Sequence, residues 1–259
     1  MLHALKKIYW ILSSQFGIDP KRFYNSLQGI PFFIYDWFRF RDGYSGSMSF
    51  LPCLHDRREE AGSLKGEYFW QDLFFAQKIY SANPAKHVDI GSRLDGFVAH
   101  VASYREIEVV DIRPIAFSIP RVVFRQADFM DSSKTEDGYC DSLSSLHALE
   151  HFGLGRYGDR IDPEGHAKGL KNMARILKVN GTLYLSVPVG KPRVEFNAHR
   201  IFDPVELLKL AASYGLELDS FASFYGGKIH QASKPYLETL MEMARMDYSL
   251  GMFVFVKTS

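Results

Sequence analysis

Residues 144–159 read SSLHALEHFGLGRYGD, and within them His147, Glu150 and His151 fall in the order H-x-x-E-H. Two imidazoles four apart on an α-helix share a face, so such a pair could hold one zinc ion while the glutamate polarises a bound water, as in inverted zinc peptidases. A catalytic zinc site also needs a third protein ligand, and no second motif supplies one. A further set of chemically capable residues lies upstream in HVDIGSRLDGF, where Asp89, Gly91, Ser92, Arg93, Asp95 and Gly96 crowd the end of a short apolar run. Asp111 closes a second apolar run, IEVVDI, twenty positions after Gly91 and just before Ile112. A glycine turn leading into a helix, followed at that distance by an acid at the next strand tip, suits a nucleoside: the turn admits the ligand's polar end and the carboxylate accepts the ribose hydroxyls.

These residues need elements to hold them. Downstream of about residue 85, short apolar runs alternate with helical periodicity: 87–90, a helix around 96–104, 107–112, 121–128, 139–146, a helix near 165–178, and 182–189. Continuous apolar strands alternating with helices imply a mostly parallel sheet covered on both faces. Ala167, Leu170, Ala174 and Leu177 form one stripe, and Asn180-Gly181 supplies a stop before the next strand. Asp203, Pro204 and Glu206 form a capping arrangement for a helix that Gly215 closes. Strands at 216–225 and 251–257 with a helix near 234–247 complete the expectation: an α/β, Rossmann-like, doubly wound seven-stranded sheet, mostly parallel with the last strand antiparallel. Residues 1–85 read as an N-terminal helical and aromatic extension serving as an acceptor or lid region, and 86–259 as the catalytic domain.

The chain has 259 residues, with 31 Lys and Arg against 30 Asp and Glu, so no global charge invites nucleic acid or anionic lipid. Its two cysteines, Cys53 and Cys140, lie far apart and outside any C-x-x-C pair, which suits a reducing cytoplasm. The apolar run after Lys6 and Lys7 is too short to span a bilayer and reads as an amphipathic helix, so no stable membrane insertion is expected.

VDIGSRLDGF, VVDIRP, QADFMD and DSLSSLHALEHF together resemble the first four motifs of class I S-adenosylmethionine-dependent methyltransferases, with ARILKVNGTLYLSVP following in order. The chain is also similar to an uncharacterised methyltransferase-like family in YFWQD, GLGRYGD and FNAHRIFDP. The resemblance implies S-adenosyl-L-methionine as cofactor and no metal. It places Asp89 and Gly91 beside the methionine moiety, Asp111 on the ribose, Asp128 facing the adenine amino group, Phe129 on the ring, and Ser145, Leu146 and His147 along the methyl-donor pocket. Arg93 and Asp95 depart from the superfamily's glycine pattern; they either pair with the cofactor's carboxylate and ammonium, or Arg93 points to solvent. His151, His199 and Glu150 are the candidates for a base toward a hydroxyl acceptor.

The acceptor implied is a small molecule or sugar, with surface-glycan biosynthesis as the association. Two alternatives stay open: an NAD-dependent oxidoreductase, disfavoured by a bulky Arg93 where a dinucleotide fingerprint has glycine, and a catalytically inactive S-adenosylmethionine-binding protein. Acceptor identity and oligomeric state are not legible.

Overall fold

The computed structural model describes residues 2–62, 64, 66–131, 135–234 and 236–258. The chain divides into two compact units, Met1–Ser63 and Leu64–Ser259. In the first, helices α1 (Leu2–Gln15) and α2 (Pro20–Asp42) dominate. Asp19 caps α2 by accepting the Lys21 and Arg22 N–H groups, each at 3.0 Å, while Pro20 presets the first turn. Trp37 stacks on Phe50 at 4.0 Å within this unit. Among the described residues no helix is long and apolar enough to cross a membrane.

The second unit begins with α3 (Glu67–Ala82), so the division falls at 63/64, upstream of the expected boundary near 85. The cause is packing: Phe75, Ala76 and Ile79 of α3 are buried in one core cluster with Val109, Leu146 and Met252. The strands follow: β1 (His87–Ile90), β2 (Ile107–Asp111), β3 (Val122–Gln126), β4 (Cys140–Leu146) and β5 (Leu177–Val189). A short ribbon, β6 (Arg193–Glu195) and β7 (His199–Ile201), precedes β8 (Leu216–Tyr225), β9 (Lys228–Gln231) and β10 (Ser249–Lys257). Among the described residues the main sheet has eight strands in the order β3-β2-β1-β4-β5-β10-β8-β9. β1 to β5 pair in parallel, and β10 runs antiparallel between β5 and β8.

The sheet is therefore the doubly wound arrangement expected, with one strand more than the seven read from sequence. Gly226 and Gly227, both at positive φ, make a two-residue hairpin that folds β9 back on β8. Side chains alternate across the sheet as the pleat requires. Leu183, Leu185, Phe253 and Phe255 join Leu170 and Met173 of α5 (Gly165–Ile176) and Leu207 of α6 (Pro204–Ser213) on one face. Tyr184, Met252 and Val254 join α3 and residues 97–101 on the other.

Two elements end differently from the periodicity. α5 stops at Ile176 and β5 begins at Leu177, because Asn180, at φ +65°, is a kink within the strand rather than a gap before it. The expected helix at 96–104 is instead a π-turn, Leu94–Val98, running into α4 (Ala99–Ala102). Asp203 caps α6 as its spacing indicated, accepting from Val205 at 2.8 Å and Glu206 at 3.3 Å.

Candidate functional site

At the carboxyl ends of the parallel strands lies a cavity of about 290 Å³. Such crevices are where open α/β sheets bind ligands, because each strand delivers a loop there while the rigid sheet holds the loops in place. Gly91 and Arg93 come from the turn after β1, Asp111 to Arg113 from the tip of β2, Asp128 to Met130 from beyond β3, and His147 and His151 from beyond β4. Tyr68 of α3 and Tyr157 of the 153–162 loop complete the wall.

Gly91 sits at φ +74°, and a Cβ there would come within 3.0 Å of the Ala148 Cβ. The turns after β1 and β4 thus meet on the cavity floor, which is the physical reason for glycine at that position. Ile90, Val110, Ala127 and Phe129 give the cavity an apolar lining, and Asp111 and Asp128 add two carboxylates to it. Asp111 is not bare: Arg113 donates Nε and Nη2 to its two oxygens at 3.0 and 2.5 Å, and its own N–H at 2.8 Å. That pairing holds the Arg113 guanidinium above its ordinary pKa. Arg113 in turn lies 4.5 Å from the Tyr157 ring centre, a cation–π contact between two residues of the lining.

Of the residues singled out from sequence, Gly91, Arg93, Asp111, Ile112, Asp128, Phe129, His147 and His151 line this cavity. The others stand behind it or beside it. Asp89 is fully buried and accepts Ser92 N–H at 3.0 Å, Ser92 O–H at 2.6 Å and Ser144 O–H at 2.5 Å. Burial lifts its pKa to about 7 against those three donors. Ser92 Oγ accepts the Leu146 N–H and Ser145 Oγ donates to the Ile90 carbonyl, so these residues tie β1 to β4 instead of facing a ligand. Gly96 packs against Asp72, and Asp95 is exposed, paired with Arg93 at 2.7 Å. Arg93 also lies 5.1 Å over the Tyr68 ring, so it faces the cavity wall.

The H-x-x-E-H segment does not form the α-helix that a shared zinc face requires. His147 ends β4 with φ +51°, and Leu149–His151 form one 3₁₀ turn. His147 Nδ1–H donates to Glu150 Oε1 at 2.9 Å, while His151 Nδ1–H donates to the Ala198 carbonyl at 2.7 Å. Among the described residues, no three His, Cys, Asp or Glu side chains converge to hold a metal ion.

Glu150 is fully buried off the cavity wall. Burial acts to raise its pKa, but the His147 hydrogen bond and the neighbouring imidazoles outweigh it and hold the carboxyl below its ordinary value. His151 is pushed down to about 4, chiefly by burial. His199 is partly buried, 6.3 Å from the Tyr248 ring, and lies outside the cavity lining. Sequence reading did not single out Tyr68, Arg113 or Tyr157. Arg113 carried the one available signal, a cation two positions after the strand-tip acid.

The fold is that of class I methyltransferases. The chain is similar to the structure of a Burkholderia thailandensis 1,6-didemethyltoxoflavin-N1-methyltransferase with bound 1,6-didemethyltoxoflavin and S-adenosylhomocysteine, with 16% identity and a TM-score of 0.52 over 74% of this chain and 80% of that one. It is likewise similar to the N-methyltransferase NodS of Bradyrhizobium japonicum WM9 in complex with S-adenosylhomocysteine, at 14% identity and TM-score 0.51 over 78% and 92%. The chain belongs to the family described as "Caenorhabditis protein of unknown function, DUF268", whose model matches residues 117–248. No curated protein matches the chain.

Proposed function

We propose that this protein is an S-adenosylmethionine-dependent methyltransferase acting on a small-molecule or saccharide acceptor. The observation that carries the reading is the cavity itself: an apolar slot flanked by Asp111 and Asp128, floored by the Gly91 turn, at the carboxyl ends of four parallel strands. Its residues suit a nucleoside with a charged tail. Asp111 would accept the ribose hydroxyls, sharing its oxygens with Arg113; Asp128 would face the adenine amino group and Phe129 its ring. Arg93, on the same wall, would take the carboxylate of the methionine moiety. The donor supplies a methyl group already activated on a sulfonium, so the protein's main contribution is alignment, worth about 7–11 kcal/mol. For a hydroxyl acceptor a base is added, and His151, His199 and Glu150 stand at or behind the cavity as candidates.

The near balance of charge favours a neutral small molecule or saccharide over nucleic acid, and surface-glycan biosynthesis remains the association drawn from the sequence resemblance. The oxidoreductase alternative is disfavoured because Arg93 occupies the turn where a dinucleotide needs glycine for close approach of its pyrophosphate. A protein that binds the cofactor without turnover is the second alternative.

Calorimetry separates these. S-adenosylhomocysteine and S-adenosylmethionine should bind with one site per chain and NAD should not. Asp111→Ala should weaken S-adenosylhomocysteine binding by about 1.5–3 kcal/mol, the range for hydrogen bonds to a charged group, without unfolding the chain. Binding of NAD in place of the sulfur nucleosides would overturn the proposal, and binding without methyl transfer to any of a panel of saccharides and small amines or alcohols would favour the inactive alternative.

A further inference from the structure

We propose that His147, held by Glu150, is the base that receives the acceptor's proton, and that Glu67 with Tyr248 stabilises the imidazolium so formed; this rests on the methyltransferase reading above. Four observations support it. First, His147 lines the cavity at the end of β4, beside Gly91 and Ala148. Second, its backbone is left-handed, a conformation unfavourable for a side-chain-bearing residue and concentrated at functional sites. Third, because a carboxylate can only accept, the 2.9 Å bond to Glu150 places the proton on Nδ1 and leaves the Nε2 lone pair free for an incoming proton. Fourth, His147 Nε2 and Glu150 Oε2 are both buried with no hydrogen-bond partner among the described residues. Buried polar atoms left unpaired are costly, and a functional role accounts for them.

The surroundings are arranged for a proton. Glu67 Oε1 lies 3.4 Å from His147 Nε2, outside hydrogen-bonding alignment, and accepts the Tyr248 O–H at 2.5 Å. From α3, Glu67, Tyr68 and Asp72 face the imidazole; from the 3₁₀ turn, Glu150 and His151; Tyr248 reaches it through Glu67. Burial lowers the basicity of His147, but the Glu150 hydrogen bond and the charges of Glu150, Glu67 and Asp72 outweigh it, holding the pKa above the ordinary 6.5. A base is most effective with its pKa near the operating pH, which favours His147 over His151. His199 does not line the cavity.

In the step proposed, the acceptor oxygen forms a bond to the methyl carbon, the carbon–sulfur electron pair passes to sulfur, and the hydroxyl proton passes to His147 Nε2. Tyr68, whose ring lies 4.6 Å from the imidazole, lines the same cavity.

The test uses the full chain, water as the probe acceptor, and His147→Asn and Glu150→Gln. Asparagine tolerates left-handed backbone, which protects the fold. Glu150→Gln, off the cavity wall, should keep S-adenosylhomocysteine affinity to within about threefold. Hydrolysis of S-adenosylmethionine to methanol and S-adenosylhomocysteine should rise with pH through an imidazole titration in the wild type and fall about a hundredfold in His147→Asn. Independently of turnover, ¹⁵N imidazole spectra of the S-adenosylhomocysteine complex should show His147 as the Nδ1–H tautomer with a raised midpoint, moved down in Glu150→Gln. Hydrolysis unaffected by His147→Asn, absent hydrolysis in a wild type that binds S-adenosylhomocysteine, or an Nε2–H tautomer would overturn the assignment. Failure of the wild type to bind S-adenosylhomocysteine would instead overturn the reading on which it rests.

Discussion

His87 and Asp89 lie two apart on β1 in a connected polar chain that crosses to β4. Ionised Asp89 can only accept from Ser144, so in that state the Ser144 hydroxyl accepts from His87 Nε2–H, at 3.1 Å. That leaves His87 Nδ1 to accept from Ser142 at 2.8 Å, a fully satisfied neutral imidazole. Burial lowers the His87 pKa to about 3 and raises that of Asp89 to about 7. The two have opposite consequences. As pH falls from 6.5, unfolded His87 takes up a proton that the folded form refuses, so folding loses stability until about pH 3. Over the range from about 7 down to 3.8, folded Asp89 holds a proton that the unfolded form releases, so folding gains stability as pH falls. Between pH 6.5 and 4 the two slopes oppose each other, each at most about 1.4 kcal/mol per pH unit. Asp89→Asn removes the second, so its unfolding free energy should fall more steeply with decreasing pH over this range than that of the wild type. Urea titrations at stepped pH measure this, and parallel curves for the two proteins would contradict the raised Asp89 pKa.

The loop 153–162 is organised by one carboxylate. Asp159 accepts the N–H groups of Gly153 and Gly155 at 2.8 and 3.1 Å, and that of Tyr157 at 3.2 Å. Gly153 and Gly155 both take positive φ, and a Cβ on Gly153 would collide with the Asp162 carbonyl. The loop is thereby a preformed wall: Tyr157 is set against Arg113 and, edge-on at 5.5 Å, against His151. An Asp159→Ala chain should keep its fold, since Asp159 caps a surface loop and no core strand. It should lose about tenfold in S-adenosylhomocysteine affinity, ~1.4 kcal/mol, as Tyr157 loosens. Calorimetry on the variant decides this, and unchanged affinity would show that the loop does not shape the cavity.

The two buried apolar clusters consist wholly of residues from Phe75 onward, and every cavity-lining residue belongs to the second unit. With strands and helices covering both faces, 64–259 has the core of an independent domain, since full burial of each large apolar side chain contributes about 1.5–3 kcal/mol. A fragment beginning at Leu64 should therefore unfold cooperatively and bind S-adenosylhomocysteine as the full chain does. Circular dichroism melts and calorimetry test this together. A fragment that is molten or fails to bind would show that residues 1–63 are needed for folding.

The amino-acid sequence by itself determined the features that depend on neighbours along the chain. Alternating apolar runs specified the parallel core; Asp203 and Pro204 specified the start of α6; and Gly91 and Asp111 marked two strand tips. Periodicity and capping are local, so they are legible without the fold. What it did not determine were contacts made across long separations. Ser144 meets Asp89 across 55 positions, and Tyr248 meets Glu67 across 181. Asp89 therefore read as a ligand-facing acid and proved to be a buried tie between strands. His147 and His151 read as partners on a helix face, but the left-handed turn at His147 aims one imidazole at Glu150 and the other at Ala198. Only closure of the sheet and docking of α3 bring Glu67, His147 and Glu150 together, because the register between β1 and β4 and the packing of a helix on them are properties of the assembled layers.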